Sequence, residues 1–493
     1  MKFLLLLLTT AGLACPLRAA EEGRGETSAW ARSVVQIEVT RKLYDYTQPW
    51  TKRQRKAQKC GLVIGAREIL TTADDLFDHT LVRLQKGGRG RWWTGRVQWI
   101  DYPANLAILT AEDEGFWAGL QPARLESTLP TNGALQIVRW REGKLESRSA
   151  EFSQFTVREG VLAAVNHVHL EVGCEIQGVG RGEPVVANSH AVGLLTAQDG
   201  RTCVATPAYF IQSILEARRQ NTFRGLGFFH FVWQPAENVD SLRWLKLPGE
   251  PRGVLVIDVP ARPDSADSVL RRRDIILEID GFAVDTEGDY EDPIFGPLMV
   301  ENLSTRGRWA GDEIPMRIWR DGQELKVSYR LPKFAYTNSL SADAVFDQEP
   351  EYLIVGGLVF QPLTDAYLQS WGADWKRRAP FRLNFYNNEA PTPERPSLVL
   401  LTQVLPDPFN IGYQDHRNLV LDKVNQRLIS RLTDLQEALK SPVNGFHIIE
   451  FMRGDSLRRM VVAAGEAESR ATGRVLERYG IARSAVIQAG IDR

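Results

Sequence analysis

Net charge is nearly absent from this chain. Its 493 residues include 60 basic and 61 acidic side chains, which leaves a formal net charge of −1 at pH 7. Proteins that bind nucleic acid in bulk carry a positive excess or one strongly basic face. The balance therefore argues against nucleic acid as the main partner.

Cysteine is also scarce. The chain has four cysteines, of which Cys15 lies in the N-terminal apolar segment; a lipid on Cys15 is an alternative that the following Pro16 disfavours. The remaining Cys60, Cys174 and Cys203 cannot build a disulfide framework. Cys174 and Cys203 could pair in an oxidising compartment, or they could be separate buried thiols that pack as small hydrophobic residues.

Long apolar runs are confined to the N-terminus. Lys2 precedes the apolar run Phe3–Leu8, and the small residues Ala19-Ala20 precede the acidic pair Glu21-Glu22. This pattern is typical of a secretory signal peptide, and the run is too short to span a bilayer. Residues 1–20 are predicted to direct export across an inner membrane into a periplasm, and no membrane span is expected elsewhere.

The length and the residue pattern indicate several β-rich domains. A chain of 493 residues corresponds to roughly three domains of ordinary size. From Ser33 to Ile214, short apolar and alternating runs are broken by turns, which favours a sandwich or a barrel over alternating βα units. Helical spacing over Tyr209–Arg219 predicts a closing helix. The basic cluster Lys52–Lys56 lies in a turn-like stretch and is interpreted as a solvated loop.

Two further β-rich units follow. The first covers about Phe223–Leu331 and ends in a hairpin that turns through Arg320–Gly322. The polar connector Lys333–Glu349 leads to a third unit, about Pro350–Gly480, with a loop-like insertion around Asn387–Pro396. The main predicted elements of the third unit are strands at Ser397–Val404, Leu419–Val424 and Phe446–Phe451 and a helix at Leu432–Leu439.

Several motifs resemble those of the Do-like/HtrA (Deg) serine proteases. Gly61–Ile64 and Glu68–Leu76 are similar to the glycine-rich strand and the "LTNAH" segment of that family. The resemblance continues in Asn105–Leu109, similar to "DLAIL", in Arg181–Pro184, at the place of "SGGP", and in Cys203–Pro207, similar to the substrate-pocket strand. A branch of the family with a diverged C-terminal PDZ domain is similar at Glu114–Leu120, Tyr352–Leu363, Gln403–Leu405 and Asn410–Tyr413.

The resemblance spans nearly the whole mature chain and implies a mainly β fold class. It implies a trypsin-like double β-barrel over residues 28–219, followed by two PDZ domains of the β-rich α+β type. The first PDZ domain would cover residues 222–332 and the diverged second one residues 345–485. Members of this family commonly assemble into trimers or larger oligomers, so self-association is implied as well.

The same resemblance assigns three catalytic positions, and none holds its catalytic residue. Asp74 stands in place of the general-base histidine, Asn105 in place of the orienting aspartate and Arg181 in place of the nucleophilic serine. Serine hydrolysis needs a neutral base that takes the hydroxyl proton and later returns it. A guanidinium has no acceptor and cannot attack a carbonyl. Val179 also replaces the glycine that is usual in the oxyanion loop, so we expect no ordinary proteolysis.

The replacements predict a particular local structure. Asp74 and Arg181 carry opposite charges at positions that face each other in the family fold. We expect them to form an ion pair, steadied by Asn105, that fills the former active site. The alternative is that Arg181 turns into solvent. A peptide-binding pseudoprotease, acting as a chaperone, regulator or scaffold in envelope protein quality control, is the expected function. The alternatives are a Do-like serine endopeptidase and a structural module with closed PDZ grooves.

One motif predicts peptide binding. The residues Gly225, Leu226, Gly227 and Phe228 match the "GLGF" loop of PDZ domains. Successive backbone amides in such a loop hold a peptide's terminal carboxylate, and the next strand edge receives the peptide by β-augmentation. Gly357–Phe360 occupies the analogous place in the third unit. There, ligand binding and a plain buried strand are both open.

No cofactor or metal is predicted. His167 and His169 share one face of a strand, but no third ligand is visible nearby. The acidic stretch 285–292 lacks the glycine and glutamate spacing of a calcium loop. The expected partners are peptides or unfolded segments of other proteins, including their C-terminal tails.

Overall fold

The computed structural model describes residues 29–129, 134–260, 268–336, 340–341, 346–387 and 389–488. The predicted signal peptide, residues 1–20, lies outside these ranges. Among the helices of the described ranges, none is both long and apolar enough to cross a membrane.

The first unit begins with a closed β-barrel, as the alternating runs predict. On its first strand Val35, Ile37 and Val39 alternate with more exposed residues and are fully buried in one core cluster. The six strands are β1 (Val34–Tyr44), β2 (Lys52–Gly65), β3 (Glu68–Thr71), β4 (His79–Gln85), β5 (Trp93–Asp101) and β6 (Leu106–Ala111). They pair in the order β1-β2-β3-β6-β5-β4, and the 3-10 turn Glu114–Phe116 follows.

The basic cluster Lys52–Lys56 is not a loop. It forms the first part of β2 and pairs with β1, from Tyr44 opposite Lys52 to Thr40 opposite Lys56. Its side chains are nevertheless exposed. Because this end of the hairpin lies at the surface, the strand needs no apolar alternation there, and the sequence pattern that marks a half-buried strand is missing.

The second barrel completes the first unit. Its strands are β7 (Leu135–Arg141), β8 (Lys144–Glu159), β9 (Asn166–Gly173), β10 (Pro184–Ala187), β11 (His190–Asp199) and β12 (Thr202–Pro207), in the order β10-β11-β12-β9-β8-β7. The predicted closing helix is confirmed as α1 (Ala208–Arg219). It buries Phe210, Ile211 and Ile214, which recur at the three- and four-residue spacing of one helix face.

The three cysteines outside the N-terminal segment are free and buried. The Cys174 thiol donates a hydrogen bond to the backbone oxygen of Ser149 at 3.2 Å. Burial, and then the neighbouring Cys174, raises the pKa of Cys203 to about 11. Of the two alternatives, the structure therefore has the separate buried thiols.

The second unit is a twisted sheet with an open edge. Asp321 and Gly322 both have positive φ, which fits an Asp-Gly hairpin turn of the predicted kind. The strands are β13 (Val232–Pro235), β14 (Val254–Asp258), β15 (Ile275–Ile279), β16 (Phe282–Ala283), β17 (Asp289–Asp292), β18 (Gly296–Met299), β19 (Glu313–Arg320) and β20 (Gln323–Arg330). The helical elements are α2 (Val239–Trp244) and the 3-10 turn Val300–Ser304. The main sheet has the order β13-β14-β15-β19-β20, so β13 is an edge strand.

The second unit packs against the second barrel. Asn302, in the 3-10 turn Val300–Ser304, accepts a hydrogen bond from the backbone N–H of Val168 at 3.0 Å. The rings of Phe155 and Phe295 lie 4.6 Å apart across the same contact. Buried residues of both units belong to one hydrophobic cluster. Because the two cores are continuous, experiments on the second unit require the whole mature chain.

The third unit is a larger sheet with short helices inserted. The predicted loop around Asn387–Pro396 is wrong at its start, because Asn387 ends a helix. Its strands are β21 (Tyr352–Val355), β22 (Leu358–Pro362), β23 (Val399–Val404), β24 (Leu419–Val424), β25 (Arg427–Leu428), β26 (Phe446–Phe451), β27 (Arg459–Ala463) and β28 (Ala485–Val486). The helices are α3 (Asp365–Leu368), α4 (Trp375–Arg378), α5 (Phe381–Asn387), α6 (Leu432–Leu439) and α7 (Glu466–Tyr479), with 3-10 turns at Gln369–Trp371 and Pro408–Asn410.

The third unit contacts the first barrel at the β1–β2 hairpin. Gln403, on β23, donates a hydrogen bond from its side-chain amide to the backbone oxygen of Thr47 at 2.7 Å. Trp50 packs edge-on against Tyr352, with ring centroids 6.0 Å apart. The hairpin that carries the basic cluster therefore also anchors the third unit.

Candidate functional site

Asp74 is held by a lysine of the neighbouring strand. The ammonium of Lys59, on β2, lies 2.7 Å from Asp74 Oδ1 and donates a second hydrogen bond, also 2.7 Å, to Thr72 Oγ1. The Lys59 side chain is fully buried and that of Asp74 is 17% exposed. Asp74 thus supplies the counter-charge that a buried ammonium requires.

The expected ion pair between Asp74 and Arg181 is wrong. Arg181 is exposed, and its guanidinium makes no ion pair with any residue in the described ranges. The physical reason is the buried Lys59, which needs the Asp74 carboxylate more than a solvated guanidinium does, because water already stabilises the latter. The alternative expectation, in which Arg181 turns toward solvent, fits the structure.

Asn105 keeps a positioning role at the third altered position. It has a left-handed backbone, with φ of 51°, and follows β5. Its side-chain oxygen accepts the backbone N–H of Asp74 at 2.9 Å, and its backbone oxygen accepts that of Ala73 at 3.2 Å. Asn105 therefore fixes the segment that carries Asp74 through backbone contacts, and the expected role of Asn105 in steadying an ion pair between Asp74 and Arg181 is wrong.

In the loop that precedes and includes Arg181, side chains of the protein itself accept the backbone N–H groups. The backbone N–H groups of Gly180 and Arg181 donate to Glu183 Oε2 at 2.9 and 2.7 Å. Those of Gly178 and Val179 donate to the side-chain oxygen of Gln198 at 2.9 and 3.2 Å. Consecutive amides of this kind form an anion-binding concavity. Here the buried carboxylate of Glu183 already occupies it.

The loop also packs tightly against the first barrel. The backbone N–H of Cys60 donates to the backbone oxygen of Arg181 at 3.0 Å. Gly182 has φ of 89°, and a Cβ there would lie 2.6 Å from the Cys60 carbonyl oxygen. Only glycine fits at Gly182 without moving the backbone. The two barrels thus form a close junction at Arg181 and Gly182.

In the described part of the chain, the cleft at this junction holds no nucleophile beside an imidazole. Its volume is about 540 Å³, and no histidine lines it, although all seven histidines of the chain lie in the described ranges. Cys60 lines the cleft, and burial raises the pKa of its thiol well above the usual range, so the reactive thiolate is suppressed. The principal lining residues are Gln36, Lys59, Cys60, Trp140, Arg181 and Glu183.

The Gly225–Phe228 loop pairs with the segment after β20. The Phe228 N–H donates to the backbone oxygen of Pro332 at 3.3 Å, and the Phe334 N–H donates to that of Leu226 at 3.1 Å. This places Gly227 opposite Lys333 in an isolated antiparallel bridge. Within the described part of the chain, the N–H groups of Leu226 and Gly227 have no hydrogen-bond acceptor. Two amides of the motif, on residues that are both buried, therefore lack an acceptor in this part of the chain, while that of Phe228 is occupied.

The strand edge beside this loop is partly covered. Trp233, on the edge strand β13, donates its indole N–H to Glu301 Oε1 at 2.9 Å. A Cβ on Gly288 would lie 2.2 Å from the same indole ring. The Trp233 side chain therefore bridges β13 and the 3-10 turn Val300–Ser304, and a peptide added to the β13 edge would run beside it.

In the third unit, the segment analogous to the Gly225–Phe228 loop is a buried strand. Leu358, Val359 and Phe360 are fully buried on β22, which pairs with β21 on one side and β23 on the other. The Gly356 N–H donates to Thr472 Oγ1 at 2.8 Å, and the Gly357 carbonyl accepts the Leu405 N–H at 2.7 Å. Of the two alternatives left by the sequence, the plain buried strand fits the structure.

His167 and His169 form a buried aromatic stack and not a metal site. The His167 ring lies 4.1 Å from the His169 ring and 4.4 Å from that of Phe210. Within the ranges that the structure describes, no group of three metal-ligating side chains is assembled. Burial lowers the pKa of His167 from its ordinary 6.5 to about 4, and burial followed by His167 lowers that of His169.

This stack should make stability fall on acidification. The unfolded chain binds protons at these rings at a higher pH than the folded chain does. The contribution of the neutral rings to the free energy of unfolding is therefore fully present above about pH 6.5 and is lost as the pH falls toward about 4. The lowered pKa of His167 alone corresponds to about 3 kcal/mol of the free energy of unfolding. Urea denaturation of the wild-type chain and of His167→Phe across this range is the measurement. The variant should show a shallower dependence on pH, and equal slopes would contradict the assignment.

Sequence reasoning missed Lys59 and Glu183. Lys59 follows the basic run Lys52–Lys56, whose pattern predicts a loop. The sequence therefore does not predict that the Lys59 side chain points inward from β2. Glu183 was visible at the second glycine of the "SGGP" motif. The acidic residue at this position is the available signal, but only the turn geometry shows that its side chain reaches the amides two and three residues before it.

Comparisons with known proteins add three findings. Residues 342–486 match the family model described as a PDZ domain. The chain is 25% identical over 468 residues to "Putative protease Do-like 11, mitochondrial" of Arabidopsis thaliana, covering 91% of this chain and 74% of that protein. It is 24% identical over 469 residues to "Protease Do-like 2, chloroplastic" of the same plant, covering 92% and 74%.

Solved structures give weaker similarity. "HtrA-type protease AlgW with decapeptide" superposes with a TM-score of 0.47 at 15% identity, covering 63% of this chain and 98% of that one. A serine endoprotease from Yersinia pestis superposes with a TM-score of 0.41 at 16% identity, covering 63% and 98%.

Proposed function

We propose that this chain, which belongs to the Do-like/HtrA serine protease family and carries a PDZ domain, has lost peptide-bond hydrolysis and binds polypeptide segments. The observation that carries the proposal is the Glu183 carboxylate in the loop where that family stabilises the reacting oxyanion. Two backbone N–H groups already donate to it. A substrate carbonyl would have to displace a buried, hydrogen-bonded carboxylate before these amides could stabilise its negative charge.

The altered catalytic positions support the same conclusion. Asp74 is committed to the buried Lys59, so its carboxylate is not free to accept a hydroxyl proton. Arg181 offers only donors at the place of the nucleophile. Loss of single members of a catalytic triad lowers the rate by about four to six decades. Incubation with unfolded casein and with a fluorophosphonate probe tests this part, and cleavage or labelling would favour the alternative of a Do-like serine endopeptidase.

Peptide binding is proposed at the Gly225–Phe228 loop. The N–H groups of Leu226 and Gly227, which have no acceptor among the described residues, suit a terminal carboxylate, and β13 offers a strand edge that no other described strand pairs with. We place the site in a first PDZ domain of residues 222–332, after a double barrel of residues 28–219 and before a diverged PDZ domain of residues 345–485.

The cellular setting is proposed from the N-terminus and the relatives. An export signal in residues 1–20 would place the mature chain in a periplasm, as a chaperone, regulator or scaffold in envelope protein quality control. The relatives named above are mitochondrial and chloroplastic proteins, so the family is not tied to one compartment. Self-association into trimers or larger oligomers is proposed on the family resemblance alone.

The charge of Lys333, beside the Gly225–Phe228 loop, allows a direct test of peptide binding. Lys333 is exposed, and its side chain lies 3.2 Å from where a Cβ of Gly225 would be. In the mature chain, Lys333→Gln should weaken binding of hexapeptides with free C-terminal carboxylates by about 5- to 10-fold, since one charge-assisted contact is lost. Binding of the same peptides as C-terminal amides should already be weak and should not change. Fluorescence anisotropy measures both.

The matched control is Lys326→Gln. Lys326 is an equally exposed lysine in the middle of β20, so the change in net charge is the same. Equal effects of the two variants would show that the protein's overall charge, and not the loop, attracts the peptide. Equal affinity for the peptides with free C-terminal carboxylates and for the same peptides as amides would show that the loop does not bind the carboxylate.

A further inference from the structure

A second cavity lies in the third unit, far along the chain from the Gly225–Phe228 loop. Its volume is about 760 Å³, within the range of small-ligand and peptide pockets. The walls come from the inserted helices α4 and α5, from β23 and from the segment before β24, and Thr47 of the first barrel closes one side. We refer to it as the arginine cavity, after Arg378, Arg382 and Arg417, which line it.

The arginine cavity carries an unbalanced positive charge. Arg382 is paired with Asp455, with Nη1 2.9 Å from Oδ1, and their side chains are 26% and 5% exposed. Arg378 and Arg417 form no ion pair and no side-chain hydrogen bond within the ranges that the structure describes. Asp455 is the one carboxylate among the lining residues. Two guanidinium groups therefore face the cavity without a counter-charge.

The rest of the lining consists of apolar, hydroxyl-bearing and amide side chains and one glycine. Trp371 and Leu383 contribute apolar surface from the inserted segment. Tyr367 also lines the cavity, and its hydroxyl donates to Asn418 Oδ1 at 2.7 Å, which fixes the ring. A ligand that fits these walls has an anionic group for the guanidiniums and an apolar group beside it. Planar guanidinium groups suit a carboxylate or a phosphate, because each can give two parallel hydrogen bonds, and of the two the carboxylate is the anionic group of an unmodified polypeptide.

We propose that the arginine cavity binds a carboxylate of a polypeptide segment, with a neighbouring apolar side chain against Trp371 and Leu383. This deepens the proposed function, since it rests on this chain being a polypeptide binder, and it adds a site separate from the Gly225–Phe228 loop. The carboxylate can be a chain terminus or an acidic side chain. The position of Thr47 in the wall, and the hydrogen bond from Gln403 to its backbone oxygen at 2.7 Å, place the bound segment at the junction with the first barrel.

The test uses three photo-crosslinking hexapeptides and the whole mature chain. Each contains benzoylphenylalanine and leucine. One has a free C-terminal carboxylate, one is the C-terminal amide, and one is an amide that carries a glutamate. Crosslinked positions are mapped by mass spectrometry, and affinities are measured by anisotropy. The test variant is Arg378→Gln with Arg417→Gln. The matched control is Arg377→Gln with Arg427→Gln, two exposed arginines that do not line the cavity.

The expected result is crosslinking to α5 or its neighbours by at least one carboxylate-bearing peptide. That binding should weaken by about 10-fold or more in the test variant and remain unchanged in the control, since each lost charged hydrogen bond costs a sizeable factor in affinity. Crosslinking by the free acid alone identifies a chain terminus as the ligand, and crosslinking by the glutamate peptide identifies an acidic side chain. Both outcomes support the site.

Other outcomes overturn it. Equal loss in the test and control variants would mean general electrostatic attraction, and equal crosslinking by the neutral amide would remove the role of the carboxylate. If Lys333→Gln abolishes all binding and the test variant changes nothing, the arginine cavity is not a site while the proposed function survives. If the test variant loses binding and Lys333→Gln does not, the cavity stands and the proposed Gly225–Phe228 site fails.

Discussion

Restoring the three catalytic positions alone should not restore proteolysis. In a chain with Asp74→His, Asn105→Asp and Arg181→Ser, Glu183 would still accept the backbone N–H groups at positions 180 and 181. Removal of one oxyanion-stabilising donor lowers kcat by about 10²–10³-fold. We therefore expect casein cleavage and fluorophosphonate labelling to increase by at least about 10²-fold only when Glu183→Gly is added to the three reversions.

The comparison requires Lys59 to be neutral in every variant. Its ammonium lies 2.7 Å from the Asp74 carboxylate, and beside a histidine it would oppose the imidazolium that forms during catalysis. All variants are therefore made with Lys59→Met, whose side chain fills a similar volume. The wild-type chain and Lys59→Met alone should be inactive. Equal activity with and without Glu183→Gly would show that the Glu183 carboxylate does not block the loop.

Gln198 should limit how much of the cleavage rate the Glu183→Gly change recovers, because it also accepts loop amides. Its side-chain oxygen accepts the N–H groups of Gly178 and Val179, and Glu183→Gly leaves these contacts in place. A further Gln198→Ala change should raise the rate again if Val179 must donate to the substrate. A rate that stays the same would assign the whole block to Glu183. Circular dichroism and the thermal midpoint of each variant distinguish a closed loop from a misfolded one.

The sequence predicts the fold best where local patterns and tertiary packing agree. The alternation on β1 and the helical spacing of α1 each reflect one buried face, so both elements were predictable. The Asp-Gly turn after β19 was predictable because its two residues tolerate positive φ. The short helices α3 and α4 were not, since four residues each are too few to show a period.

At the candidate site, residue identities were informative, whereas the contacts between the residues could not be predicted. The identities of Asp74, Asn105 and Arg181 predict a loss of catalysis from residue chemistry alone, and this stays a prediction. Their partners could not be predicted. Lys59 reaches Asp74 from the neighbouring strand, and the direction of its side chain depends on where the exposed part of β2 ends. Pairing by opposite charge favoured Arg181, whereas burial decided the pair, because a desolvated ammonium gains far more from a counter-ion than an exposed guanidinium does.

Removing the counter-charge of Lys59 should be the most destabilising conservative change in the first barrel. Asp74→Asn keeps the shape of the side chain, but it leaves the fully buried Lys59 ammonium with Thr72 as its remaining partner. Breaking a buried ion pair from one side lowers the free energy of unfolding by about 3–5 kcal/mol. The shift in the urea midpoint of the first-barrel transition, followed by hydrogen exchange of β2 amides, measures this loss.

Neutralising both partners should recover most of that stability. In Lys59→Met with Asp74→Asn, no charge remains to be buried, and we expect a free energy of unfolding within about 1 kcal/mol of the wild type. The control is Glu175→Gln, which breaks the exposed ion pair with Arg201, whose side chain is 75% exposed, and should change stability by less than about 1 kcal/mol. If Asp74→Asn costs no more than Glu175→Gln, Lys59 reaches water in solution, and Asp74 is then free of the partner that keeps it from acting as a base.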